Sequence, residues 1–174
     1  MRFLAVSVSL CGLLFFLLAC GYRVAGRGSR LPEGWKTIAV PALQNKTLRY
    51  RIEQRLTEAV IREFLARAKY RIVPDAAGAD AVVRGEVSSI ESTAVLFDAA
   101  TGRATTVLIT VRLKVRLEEV ESGRVVWQND NYLFREEYEV STDVASFFDE
   151  QNPALDRLAG DFAAAFVAAL LENF

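Results

Sequence analysis

Histidine is absent from this chain, and its two cysteines, Cys11 and Cys20, both fall near the N-terminus. Without histidine there is no Ser-His-Asp or Cys-His nucleophilic centre, no imidazole metal ligand and no imidazole pH switch. No glycine-rich loop followed by Lys-Ser or Lys-Thr occurs, so the chain has no phosphate cradle from which to draw work. A pair of carboxylates is the enzyme template that remains. No Asp or Glu stands apart from a solvated background, so neither catalysis nor a cofactor is expected. Lys and Arg number 21 against 22 Asp and Glu, a net charge of −1, which removes bulk attraction to nucleic acid. After Cys20 there is no cysteine, so packing must hold the fold without disulfides.

What the N-terminus does contain is a graded signal. The amino group and Arg2 are cationic, residues 3–18 are an apolar run too short for a comfortable stable anchor, and Leu17-Leu18-Ala19-Cys20 closes it. Leu-x-Ala-Cys resembles the lipobox cut just before a cysteine that becomes diacylated. Residues 1–19 therefore read as a lipoprotein signal peptide and Cys20 as the lipidation site. A plain signal or single-pass anchor with an incidental cysteine would not require all these elements at one spacing. Gly21, rather than aspartate, follows Cys20, which by the same resemblance implies the outer membrane. Each buried methylene of an acyl chain adds about 0.8 kcal/mol, so two or three chains would hold the domain at a periplasmic leaflet.

Residues 20–34, glycine-rich with Pro32 and no periodicity, read as a lipidated tether that is extended or wraps the domain. Residues 35–174 then suffice for one domain. A short strand is expected over residues 35–42, limited by Pro41. A helix is expected over 49–68, with Ile52, Leu56, Ala59, Val60 and Phe64 on one face and Asn45 or Thr47 capping its start. Arg49 and Arg51 in its first turn would oppose the helix dipole, a conflict for packing to outweigh or a partner to use.

Strands are expected over 70–73, 81–92, 107–117 and 124–138. The third is the clearest: Val107, Ile109, Val111, Leu113, Val115 and Leu117 alternate with Thr110, Arg112, Lys114 and Arg116, the mark of one dry and one wet face. Ser122-Gly123 signals a hairpin, and a slip in alternation at residues 129–131 signals a bulge. Asn152-Pro153 would start a last helix over 153–172, after an acidic loop carrying Phe147 and Phe148. The fold class expected is α+β, a two-layer sandwich with two helices on one face of a mostly antiparallel sheet of four to five strands.

Several short motifs now line up in order: Cys20-Gly21-Tyr22-Arg23, Ile38-Ala39-Val40-Pro41 with Asn45-Lys46-Thr47, Glu53 with Leu56-Thr57, Ala79-Asp80-Ala81-Val82-Val83-Arg84-Gly85, and Gly123-Arg124-Val125-Val126-Trp127. Together they resemble the lipopolysaccharide-assembly lipoprotein family LptE across nearly all of residues 20–174. The resemblance implies a non-enzymatic protein that plugs the lumen of the outer-membrane β-barrel LptD, takes part in lipopolysaccharide binding and helps deliver it to the outer leaflet. A similar Ile-Ala-Val-Pro with Asn-x-Thr opening occurs in curli-type secretion-channel lipoproteins, which would form a homo-oligomeric ring instead.

A barrel of this type has a polar interior, which suits a sheet with a wet face. On that face Arg112, Lys114 and Arg116, with Arg84 on a neighbouring strand, form the candidate contacts for lipopolysaccharide phosphate. The plain alternative is solvated surface or cross-strand ion pairs. Arg135 is a weaker addition, because the bulge leaves its face open. Phe147 and Phe148 are the barrel-contact candidates, since adjacent aromatics in an acidic loop do not both enter a core easily. Trp127, Tyr132 and Phe134 are either barrel contacts or core, with core favoured for Trp127.

Overall fold

The computed structural model describes residues 31, 32, 34–140 and 147–172, the side chains of 147–150 and 172 excepted. The expected signal peptide, Cys20 and most of the expected tether lie outside the described residues. The elements run β1 (Thr37–Ala39), β2 (Gln44–Asn45), α1 (Ile52–Arg67), β3 (Arg71–Val73), β4 (Ala81–Phe97), β5 (Ala104–Glu119), β6 (Val125–Glu139) and α2 (Phe147–Glu172).

The sheet has six strands and is mixed. Its order is β3-β1-β4-β5-β6, with β2 also on β4. Here the expected four- to five-stranded, mostly antiparallel sheet needs correcting. The pairs β1–β3, β1–β4 and β2–β4 are parallel, while β4–β5 and β5–β6 are antiparallel. The cause is the crossover: α1 returns the chain between β1 and β3, which makes those two strands parallel, and β4 then lies on the other side of β1.

Both helices pack on one sheet face. Val83, Val87, Ile109, Val111, Leu113, Val115 and Leu117 meet Leu56, Val60 and Phe64 of α1 and Leu155, Leu158, Phe162, Phe166 and Leu170 of α2. The alternation expected for β5 is therefore its dry face. On β4 a bulge between Val87 and Ser89 switches the phase, so Ile90 rather than Ser89 continues toward the core. Leu31 is buried in the same cluster, so the end of the tether is part of the domain.

Two local joints explain motif residues. Thr57 is the one buried polar residue among those described; its Oγ1 accepts from Leu43 N at 3.0 Å and donates to Glu53 O at 2.6 Å. It thereby satisfies an otherwise orphaned backbone donor and ties the segment before β2 to α1. At Gly85 a Cβ would lie 2.5 Å from Leu43 Cδ2 and 3.2 Å from Val115 Cγ1, so glycine lets Leu43 close onto the sheet.

Asp80 joins the start of the sheet. Its Oδ2 accepts from Lys36 N at 2.7 Å and Thr37 N at 2.8 Å. These two backbone donors, Lys36 first, hold its carboxyl below the ordinary 3.8. A carboxyl depressed on folding adds stability above its unfolded pKa, and that contribution disappears as pH falls through the folded value. Asp80→Asn is therefore expected to flatten the melting-temperature profile between about pH 5 and pH 2. An unchanged acid limb in thermal melts would show that the latch contributes nothing.

The last helix starts six residues earlier than Asn152-Pro153 suggests, at Phe147, with Pro153 inside it. Proline in the second turn removes one helical donor, a loss the packed apolar face outweighs. α1 begins at Ile52, not at 49, and its N-cap is Arg51 in the left-handed region, φ 61°, with no side-chain cap. Asn45 and Thr47 fold the preceding loop instead of capping the helix.

Candidate functional site: the polar face of the sheet

Opposite the helices, register brings the predicted cations together. Arg84 on β4 is the direct partner of Arg116 on β5, Glu86 of Lys114, and Ser89 of Arg112. On the other side of β5, Arg135 stands opposite Thr110, and Leu133 opposite Arg112. Directly paired residues share a face, so Arg135 belongs with Arg112, beyond the bulge that left its face open. That bulge lies where expected: β5 Leu113 pairs with Tyr132 and Val115 with Asn129.

Two arginines placed directly opposite would repel. Glu118, with its side chain only 15% exposed, resolves this by accepting from Arg84 Nε at 2.7 Å with one carboxylate oxygen and from Arg116 Nε at 2.6 Å with the other. Lys114 Nζ lies 3.6 Å from Glu86 Oε1. The cationic stripe is thus largely compensated within the sheet. Arg112 differs: it is half-buried and makes no ion pair with any described residue. Ser89 Oγ, across from it, is buried without a hydrogen-bond partner among the described residues. A shallow groove bounded by Gln44, Arg84, Lys114, Arg116 and Asp130 runs along this face.

Sequence periodicity placed the cations on the right face but missed Glu118 and Glu86 as their partners. Only the register, which alternation does not specify, pairs position 84 with 116 and 86 with 114.

Of the aromatic residues of β6, Tyr138 is buried, and Trp127, Tyr132 and Phe134 are half-buried against the core. Trp127 lies 5.5 Å from Phe166, Phe134 5.4 Å from Phe162, and Tyr132 stacks on Phe134 at 5.1 Å. Burial pushes the Tyr132 phenol above 10.0. Phe147 and Phe148 belong to the first turn of α2 rather than to a loop; their side chains lie outside the described residues. Among the described residues, no three Cys, Asp or Glu side chains gather to hold a metal ion. No described helix is long and apolar enough to cross a membrane.

Comparison with known proteins gives one family. The model of LptE, lipopolysaccharide-assembly, matches residues 35–170. No curated protein matches the chain in sequence. Among solved structures, lipoprotein B from Nitrosomonas europaea is similar at a TM-score of 0.56 and 12% identity, over 87% of this chain and 90% of that one. A lipoprotein from Caulobacter crescentus has a TM-score of 0.50 at 14% identity, covering 76% and 88%. A PelC dodecamer from Paraburkholderia phytofirmans has 0.51 at 16%, covering 83% and 94%. At these identities the likeness is one of fold.

Proposed function

Since this chain belongs to the LptE family of lipopolysaccharide-assembly proteins, we propose that it is an outer-membrane lipoprotein, anchored through Cys20, that plugs the LptD β-barrel and takes part in binding lipopolysaccharide and inserting it in the outer leaflet. The match over residues 35–170 carries this reading. The two-faced sheet supports it: one face is closed by helices, and the other is a compensated polar surface suited to the polar lumen of a large barrel. Where its charges are paired, at Arg84, Arg116 and Lys114, that surface can lie against such a wall without burying unpaired charge.

Within that reading, the four candidate lipopolysaccharide contacts separate. Arg84 and Arg116 are held by Glu118, and Lys114 stands near Glu86. Arg112 is the candidate whose guanidinium makes no ion pair with a described residue, so it is the strongest phosphate contact, with Arg135 on the same face. Arg112→Glu is expected to weaken binding of purified lipopolysaccharide about tenfold or more, the loss of a charge-assisted hydrogen bond. Lys114→Gln should change it little. Equal affinity for wild type and Arg112→Glu, with the fold intact by circular dichroism, would remove the sheet face from the lipid pathway.

A further inference from the structure

Away from the sheet face, the loop leading into α1 has features that the polar-face reading does not use. It is fixed from within: Asn45 Oδ1 accepts from Thr47 N and Thr47 Oγ1, both at 2.8 Å, and Thr47 Oγ1 accepts from Arg49 N at 3.1 Å. Asn45 Nδ2 donates to Arg49 O and to Glu53 Oε2, also at 2.8 Å. A loop locked by polar bonds does not need apolar anchors. It nonetheless carries Leu48 at 105% relative exposure and Tyr50 at 78%. A single exposed leucine is ordinary, but here two apolar side chains alternate with two arginines over four successive residues.

The arginines are oriented without being neutralised by any described residue. Arg49 Nη2 donates to the neutral amide oxygen of Gln151 at 2.8 Å, and Arg51 lies over the Tyr50 ring at 5.0 Å. Neither makes an ion pair with a described residue. Arg55, by contrast, is committed to Asp156 at 2.6 Å and to Asn152. Those contacts bring the N-terminal parts of α1 and α2 to the same end of the domain, where backbone partial charge is already positive. Two guanidiniums without a counter-charge among the described residues oppose that partial charge, and packing does not explain them, because Leu48, Tyr50 and Arg51 are all exposed. Beside them opens a broad cleft of about 710 Å³, lined further by Gln54, Glu58 and Asn152.

We infer that this cleft docks an acidic segment of a protein partner, with carboxylates on Arg49 and Arg51 and apolar side chains against Leu48 and Tyr50. The guanidinium fork matches carboxylates in a bidentate manner. Exposed aromatic and arginine side chains are the usual anchors of protein interfaces, and the amides of Gln54 and Asn152 are suited to a peptide main chain. An anionic lipid surface fits less well. It presents headgroups to the arginines but no peptide main chain to the amides of Gln54 and Asn152. The inference presupposes that the chain works beside another protein, as the proposed function requires, but not that this protein is a barrel.

The test uses the full-length lipoprotein in its own envelope, with a photoactivatable benzoylphenylalanine in place of Leu48. The linked segment is then mapped by mass spectrometry. The expected product joins position 48 to a protein segment bearing at least two carboxylates near the linkage. Arg51→Glu, alone and with Arg49→Glu, should cut its yield about tenfold or more at a melting temperature no lower than that of wild type. Lysines in place of the partner's carboxylates should restore the link to the Arg51→Glu protein. Linkage to lipid alone, no protein product, a segment without carboxylates, or a yield indifferent to charge reversal would each overturn the inference. Retained linkage to a protein other than a barrel would defeat the barrel reading while leaving the cleft as a docking site.

Discussion

Phe162→Ala is expected to destabilise the domain by about 3–5 kcal/mol, the range for deleting a buried aromatic ring. Phe162 has no exposed surface. Its ring stacks with Phe166 at 5.6 Å and meets Phe134 and Tyr132 edge-on at 5.4 and 6.1 Å. It is therefore the point at which α2 locks onto β6, and no disulfide backs up that contact in residues 31–172. Domains of this size carry only about 5–15 kcal/mol in total, so the variant should melt far below wild type or fail to accumulate. The exposed neighbour Asp161→Ala should stay within about 0.5 kcal/mol. Urea unfolding of both gives the comparison. A loss below about 1 kcal/mol for Phe162→Ala would mean that α2 is not anchored by this cluster.

Cys20→Ala should have the larger cellular effect. If two or three acyl chains provide the attachment, at about 0.8 kcal/mol per methylene, their removal abolishes it. The variant is expected to keep its signal segment and to vanish from the outer-membrane fraction. Normal fractionation of Cys20→Ala would contradict the acyl anchor at that residue.

The parts legible in the sequence were those governed by burial on one face. The odd positions of β5 from Ile109 to Leu117 are all buried, and the apolar stripes of both helices are as spaced. β4 extends five residues beyond the expected 92 because its end, with Val95, Leu96 and Phe97 exposed, pairs with β5 outside the helix-covered core. That segment has no dry face to impose alternation. β2, two residues long, is too short to carry any period. Parallel pairing was illegible for a related reason: three-residue strands such as β1 and β3 reveal their direction only through the crossover. Asn45 and Thr47 have side-chain oxygens that serve either a helix cap or a loop, and residue type alone does not choose between them. At the polar face, side-chain period gave the arginines and sets Glu118 beside Arg116, while its reach to Arg84 depended on register.

The proposed function is assembly with a barrel for lipopolysaccharide delivery. Its most direct test is gentle detergent extraction of the tagged protein from its own outer membrane, followed by determination of the mass and composition of the complex. One copy of this chain with one large β-barrel protein is expected, with lipopolysaccharide carried along. A ring of identical copies without a barrel, the assembly of a secretion-channel lipoprotein, would contradict it.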